Sequence, residues 1–309
     1  MPLISVVIPV FRAEAYVAEL GRRLIESLAT VTEDFEIILV EDGSRDRSWK
    51  LIQELAKTDP RVRGIKFSRN FGQHPAIAAG FQKSRGDLIV LMDCDLQDRP
   101  EDIPKLVETQ RETGAEIVYT IKEGETGSWH VNLTSRLYHY VFSKVAGLSV
   151  PENIGTFRLC TRNFLNAVLE YPERNILFGP LMFYVGFESA IIEVRHEKRS
   201  QGKSTYTFRK RLALAINSLV SYTDLPMRAL LWFGSLTTGL SLLYGGVIIL
   251  GYFILGRTLA AGITLIVLLL LASTGIIMAS LGIIGSYVFR VYQEVLRRPR
   301  YNVSQTINL

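Results

Sequence analysis

The sequence predicts an α/β fold: a mostly parallel sheet with helices on both faces, followed by interfacial helices and two transmembrane helices. Three observations predict it. Short β-branched runs alternate with helical patterns over the first part of the chain, which is the signature of a parallel sheet. Carboxylates recur where those runs stop, first Glu41 and Asp42, then Asp93, Asp95 and Asp98. Ligands of such sheets bind beyond the carboxyl ends of the strands. Finally, residues 229–256 and 258–289 contain no Asp, Glu, Lys, Arg or His. At about 1.5 Å per residue, each stretch can cross a hydrocarbon core of roughly 30 Å.

In order, "ISVVIPV" (4–10) reads as a buried strand and 14–29 as a helix through Tyr16, Val17, Leu20, Leu24 and Leu28. "FEIILVEDGS" (35–44) is a strand stopped by the Asp42-Gly43 turn signal, and Ser44 or Asp46 caps a helix over 47–57. "VRGIKFS" (62–68) is the third strand, and an Ala-rich helix follows "RNFGQHP" as far as Lys83. "DLIVLMD" (87–93) is the fourth, Pro100 starts a helix to Thr113, and "EIVYT" (116–120) is the fifth.

The 309 residues are 48% hydrophobic with a mean hydropathy of +0.19, and the apolar excess lies beyond residue 228. Arg209, Lys210, Arg211 and Arg228 precede the spans, Arg290, Arg297, Arg298 and Arg300 follow them, and the hairpin holds only Arg257. The positive-inside rule then puts both ends in the cytoplasm. This predicts a catalytic domain over 1–207, amphipathic interfacial helices over 208–228, a two-helix hairpin over 229–289 and a cytoplasmic tail over 290–309. "MPLISVVIPVF" reads as a strand rather than a signal peptide. Cys94 and Cys160 lack zinc spacing and suit a reducing compartment. The net charge of +5 gathers beside the spans, which suits an anionic membrane and not nucleic acid. There is neither a dinucleotide fingerprint after the first strand nor a GxxxxGK[ST] loop.

"LMDCDLQD" (91–98) carries the sharpest chemistry. In an extended segment Asp93, Asp95 and Gln97 point the same way. Their hard oxygens suit Mg²⁺ or Mn²⁺ held jointly with substrate phosphates, and such a metal screens charge on a departing diphosphate.

"ISVVIPVFRAEAYV", "EIILVEDGSRDRS", "SRNFGQHPAIAAGF" and "GDLIVLMDCDLQDRPED" together resemble, in order, the signature stretches of family 2 glycosyltransferases. The nearest branch resembled is that of the polyisoprenyl-phosphate glycosyltransferases, which includes dolichol-phosphate mannose synthase. The similarity continues through "GTFRLCTRNFLNAV", "YVGFESAIIEVRHEKRSQGKSTY" and the two spans. It implies a glycosyltransferase A-type fold and a metal-dependent, inverting transfer of sugar from a nucleotide sugar, UDP- before GDP-, to a polyisoprenyl phosphate such as undecaprenyl phosphate. It also implies a homo-oligomer, often a tetramer. By the same resemblance, Pro9, Val10 and Glu14 line the nucleotide pocket, and Asp42 accepts a hydrogen bond from the base, with Glu41 facing away. Asp93 and Asp95 carry the metal and diphosphate with Gln97, and Arg199 contacts the diphosphate with help from Lys203.

Two departures matter. Relatives often read "GDFRL" where this chain has Gly155-Thr156-Phe157-Arg158-Leu159, so no acid stands at 156 to act as a base. An acceptor phosphate is already anionic and needs positioning more than a base. Relatives also carry Arg residues after the fifth strand. Here that stretch offers Lys122, with Ser135 and Arg136 further on as the matching acceptor-phosphate pair. Lysine lacks the bidentate fork of arginine. The competing readings are transfer directly to a glycan, a processive polysaccharide synthase (for which the chain lacks Q-x-x-R-W and further spans), and an inactive membrane scaffold. His74, His130, His139 and His196 show no ligand spacing. Trp49 and Trp129 read as packing residues, Trp232 as an interfacial anchor, and "YNVSQTINL" as a strand offered to a neighbour.

Overall fold

The computed structural model describes residues 2–122, 154–171, 178–195 and 262–309, with scattered helical residues between 230 and 254. The chain divides into two compact units, Met1–Thr207 with Pro299–Leu309 and Phe208–Arg298.

In the first unit the described strands are β1 (Ile4–Val10), β2 (Phe35–Glu41), β3 (Val62–Phe67), β4 (Leu88–Leu91), β5 (Ile117–Lys122), β6 (Ile154–Thr161), β7 (Ser189–Val194) and β8 (Val303–Ile307). They form one sheet in the order β7-β5-β6-β4-β1-β2-β3-β8. β1 is parallel to β2 and β4, β2 to β3, and β5 to β7. β6 runs antiparallel to both β4 and β5, and β8 antiparallel to β3. The helices are α1 (Val17–Ala29), α2 (Ser48–Thr58), α3 (Gln73–Lys83), α4 (Ile103–Thr113), α5 (Arg162–Leu169) and α6 (Phe178–Tyr184).

Period-two alternation divides the core into two layers. Val6, Ile8, Ile37, Leu39, Val90 and Met92 pack with α1, α2 and α4. Val7, Ile38, Val40, Ile89, Leu91 and Tyr119 pack with α3, α5 and α6. Burial on both faces explains why β1 and β2 are apolar apart from Ser5, Glu36 and Glu41. α4 ends at Gly114, whose φ of 67° is the left-handed cap that glycine supplies.

Two expectations are corrected, the end of the fourth strand and the partner of the tail strand. The fourth strand stops at Leu91, not residue 93. The fifth lies beside β6 and β7, and β6 returns antiparallel between it and β4. The tail strand joins this chain's own sheet at β3 instead of extending to a neighbour. Arg63 on β3, paired with Glu36, donates to the Asn308 carbonyl, and Trp49 Nε1 donates to Gln305 Oε1 at 2.7 Å. Side-chain complementarity therefore specifies β3 as the partner of β8.

In the second unit the described helix is α7 (Gly262–Val295). Within it Ser273–Val295 is long and apolar enough to cross a membrane, with a mean hydropathy of 1.5. Ser273 and Thr274 hydroxyls both donate to the Leu270 carbonyl, and Ser280 to that of Ile276. Helical residues at 232–237 fall in the earlier expected span. The 208–228 segment and Arg257 lie outside the described residues.

Candidate functional site

The carboxyl ends of β1, β2 and β4 converge. The β2 end carries Glu41 and Asp42, which face opposite layers, as alternation requires. Glu41 is fully buried. Its Oε1 accepts from the Ser44 N–H, while Oε2 has no hydrogen-bond partner among the described residues. Asp42 is almost as buried, and its carboxylate grips the 70–72 loop. It accepts from Asn70 Nδ2 at 2.9 Å, the Phe71 N–H at 2.6 Å and the Gly72 N–H at 2.8 Å. Burial pushes its pKa up, and the two backbone donors oppose that shift. Gly43 makes the close approach possible. Its φ is +65°, and a Cβ there would lie 2.2 Å from the Arg69 backbone.

At the β1 end, Pro9 and Val10 are buried. Val10 packs in the core, so what it presents at the strand end is backbone, and its carbonyl accepts from the Asp42 N–H at 2.9 Å. Glu14 accepts from the Arg47 N–H at 2.9 Å, at the start of α2. Ser44 Oγ accepts from the Arg12 N–H, joining the β1 and β2 loops.

The acid loop follows β4. Asp93 Oδ1 accepts from Gln73 Nε2 at the start of α3, at 2.8 Å. Its N–H points to Asp98 Oδ2 at 3.4 Å, and Asp98 is buried. Asp95 accepts from the Gln97 N–H at 3.3 Å. Leu96 sits at φ 59°, a left-handed conformation rare for a branched residue and concentrated at functional turns. The segment is thus not extended, and period-two alternation does not place Asp93, Asp95 and Gln97. A local turn joins Asp95 to Gln97 through the Gln97 N–H instead.

Among the described residues, no group of three or more His, Cys, Asp or Glu side chains could hold a metal alone. Two carboxylates and an amide oxygen in one short loop nevertheless fit a Mg²⁺ or Mn²⁺ ion that takes its other ligands from a diphosphate and water. The chemistry of the donor set therefore fits a shared metal rather than a resident one.

Lys122 closes β5 opposite Val194. Thr156 lies on β6, and its carbonyl accepts from Arg158 Nε at 2.9 Å. Ser135, Arg136, Arg199 and Lys203 lie outside the described residues, as do Trp129, His130, His139 and His196. Trp49 packs in the core, as its sequence context predicts.

Two residues acquire significance only in the fold. Arg158 is a buried arginine on β6, in register with Leu91 of β4. Its signal was an arginine in the middle of an otherwise apolar strand. His74 follows Gln73, and its ring lies 6.2 Å from that of Phe178, with Nδ1 buried and without a hydrogen-bond partner among the described residues. Burial, then the Arg158 charge, pushes its pKa down to about 4. The unfolded chain takes up this proton below about pH 6.5, and the folded protein refuses it until about pH 4. The His74 contribution to stability is therefore complete above pH 6.5 and is lost as pH falls through that window. At pH 5 the loss is about 2 kcal/mol. His74→Gln is expected to shrink the fall in melting temperature between pH 7 and pH 5 by roughly 4–8 °C. An undiminished fall would assign the acid sensitivity to other groups.

The geometry can be set beside known proteins. The glycosyl transferase family 2 model matches residues 5–169. An undecaprenyl-phosphate 4-deoxy-4-formamido-L-arabinose transferase from Proteus mirabilis is 34% identical over 99% of this chain and 94% of its own. A prophage-derived bactoprenol glucosyl transferase from Shigella flexneri is 30% identical over 98% of each chain. Among solved structures, a Pyrobaculum calidifontis mannosyltransferase in complex with GDP-Man and Mn²⁺ superposes with a TM-score of 0.53 at 16% identity, covering 71% of this chain and 63% of that one. Glucosyl-3-phosphoglycerate synthase from Mycobacterium tuberculosis, in complex with Mn²⁺, UDP and glucosyl-3-phosphoglycerate, gives 0.51 at 16% identity, covering 72% and 80%. These two likenesses carry the fold alone. The family match spans β1 to α5 and the relatives span nearly the full length, so the chain belongs to glycosyltransferase family 2, in a branch whose named relatives are polyisoprenyl-phosphate sugar transferases.

Proposed function

We propose that this transferase is membrane-embedded and moves a sugar, with inversion, from a nucleotide sugar to a polyisoprenyl phosphate at the cytoplasmic surface. The observation that carries this reading is the convergence of the acid loop at 93–98 with the Asp42-held loop at the strand ends, in a chain matched end to end by relatives named for undecaprenyl phosphate and bactoprenol. UDP is favoured over GDP. α7, with its hydroxyls bonded within the helix, suits a hydrocarbon setting, as one of two spans with both ends cytoplasmic. The proposed assembly is a homo-oligomer, with a tetramer as the first expectation.

In this mechanism Asp42 keeps the 70–72 loop in place beside the nucleotide, near Pro9, Val10 and Glu14. Asp93 and Asp95, with Gln97, would hold a divalent metal, which supplies charge screening for the leaving diphosphate when bound. Arg199 and Lys203 contact the diphosphate. Lys122, Ser135 and Arg136 orient the acceptor phosphate. Its oxygen attacks the anomeric carbon from the face opposite the diphosphate, and the carbon–oxygen bond to the diphosphate breaks as the new bond forms. No protein base is required, because the attacking oxygen is already anionic.

The test is transfer in detergent, with Mg²⁺ or Mn²⁺, undecaprenyl phosphate and a panel of radiolabelled UDP- and GDP-sugars. Label entering the organic phase from one donor supports the reading. Label found only on a water-soluble glycan would replace the acceptor. A Thr156→Ala variant is expected to keep turnover within about threefold of wild type, because loss of a true general base costs roughly 10²-fold or more. A loss on that scale in a folded protein would make Thr156 part of the chemistry.

A further inference from the structure

Arg158 plays no part in the mechanism above, yet it lies beside the acid loop. β6 is antiparallel to β4, with Arg158 opposite Leu91, two residues before Asp93. The side chain turns back along β6, donating to the Thr156 carbonyl at 2.9 Å and the Gly155 carbonyl at 2.8 Å. Backwards along β6 is forwards along β4, so the guanidinium is carried towards Asp93. A third N–H reaches Met182 Sδ at 3.4 Å, and the Tyr119 ring centroid lies 5.5 Å from Cζ. The residue is only 6% exposed. It makes no ion pair among the described residues, although its charge interacts with those of Asp93 and Asp98. A buried cation without a contacting anion is costly, and it persists where a site uses its field.

We propose that Arg158 is the fixed counter-charge of the donor site, a positioning residue that makes the acid loop accept a divalent cation together with the nucleotide diphosphate rather than alone. The inference rests on the reading of Asp93 and Asp95 as metal-binding residues. Asp93, Asp95 and Asp98 by themselves would attract a bare cation. One immobile positive charge beside them opposes the bare ion and attracts the diphosphate. The combined complex satisfies both, while the guanidinium stays anchored to two backbone carbonyls and keeps its charge although burial lowers its pKa.

The experiment uses the full chain in detergent and three variants, Arg158→Met, Arg158→Gln and Arg158→Lys. Arg158→Gln keeps a donor for the two carbonyls, so a neutral variant remains should Arg158→Met not fold. Three binding curves are measured: Mn²⁺ alone by the loss of its free-ion paramagnetic signal, UDP without metal by calorimetry, and UDP with Mn²⁺. The neutral variants are expected to bind bare Mn²⁺ at least about tenfold tighter and metal-free UDP at least about tenfold weaker, as one charge within roughly 10 Å acting through an effective dielectric near 20 dictates. Arg158→Lys stays within about twofold of wild type on both, because it keeps the charge. A merely structural role cannot move the two affinities in opposite directions. Both falling together, neither changing, or Arg158→Lys behaving like the neutral variants would overturn the inference. Wild-type protein that shows no effect of Mn²⁺ on UDP binding would overturn the metal reading itself, and this inference with it.

Discussion

Asp95→Asn is expected to lower sugar transfer by roughly a thousandfold while the folded protein melts within a few degrees of wild type. Asp95 sits in the turn after β4, where its carboxylate accepts from the Gln97 N–H at 3.3 Å. An asparagine keeps that acceptor through its amide oxygen, so the local turn survives. What is lost is one of the two carboxylate charges proposed to face the metal and the departing diphosphate. Asp93→Asn is a less clean test, because Asp93 also accepts from Gln73 on α3 and the change disturbs a helix contact as well as a charge. The measurement is initial rate at saturating donor and acceptor, with thermal melts of the same preparations and a Mn²⁺ titration. Near-normal turnover in Asp95→Asn would remove this carboxylate from the metal site. Lost turnover that excess Mn²⁺ restores would show weakened metal affinity, with Asp95 acting as a ligand rather than in the chemical step.

The sheet was legible in the sequence where both faces are buried. The runs read at 4–10 and 35–44 contain β1 and β2, because a strand packed on two layers is apolar at most positions. Placement of the acids was legible because each follows an apolar run, although Glu41, Asp42 and Asp98 are themselves buried in the fold. The turn at Leu96 was not legible. Nothing in "DCDLQD" distinguishes an extended run from a tight turn, and a positive φ at leucine depends on the surroundings that hold it. The insertion of β6 between β4 and β5 was hidden because strand order depends on long-range pairing that local pattern does not encode. Arg158 went unassigned because only the fold reveals which layer an alternating strand turns to which neighbour. The tail "YNVSQTINL" was legible as a strand, whereas its partner was settled by side chains far away in sequence, Trp49 and Arg63 above all.

Those partners make the C-terminus the site of the second large effect. Removal of residues 301–309 is expected to lower the melting temperature of the catalytic unit by roughly 10–20 °C and to weaken nucleotide binding. β8 covers the outer edge of β3 through Gly64 opposite Ile307 and Lys66 opposite Gln305. Gly64 is needed there, because a Cβ would come within 2.7 Å of Ile307 Cγ2. Asn308 Nδ2 donates to the Ala56 and Val62 carbonyls at 2.8 and 3.0 Å. Tyr301 stacks on Phe67 with centroids 4.7 Å apart, and its hydroxyl donates to Gln82. Truncation leaves Arg63 without the Asn308 carbonyl and Trp49 without Gln305, and uncovers a strand edge that invites aggregation. At about 1 kcal/mol net per hydrogen bond, and somewhat more for groups left unsatisfied, the loss is about 4–6 kcal/mol. The functional consequence follows from chain order. The Ser68 N–H donates to the Asn302 carbonyl, and the next residues enter the loop that Asp42 holds. Loosening the β3 edge therefore reaches the nucleotide side of the site. Asn308→Ala separates the two effects: it removes two hydrogen bonds far from that loop, so it should lower stability by about 1–3 kcal/mol and leave UDP affinity unchanged. A truncated chain that melts like the full-length protein would mean that β8 is an ornament of the sheet. One that melts lower yet binds UDP normally would confine its role to stability.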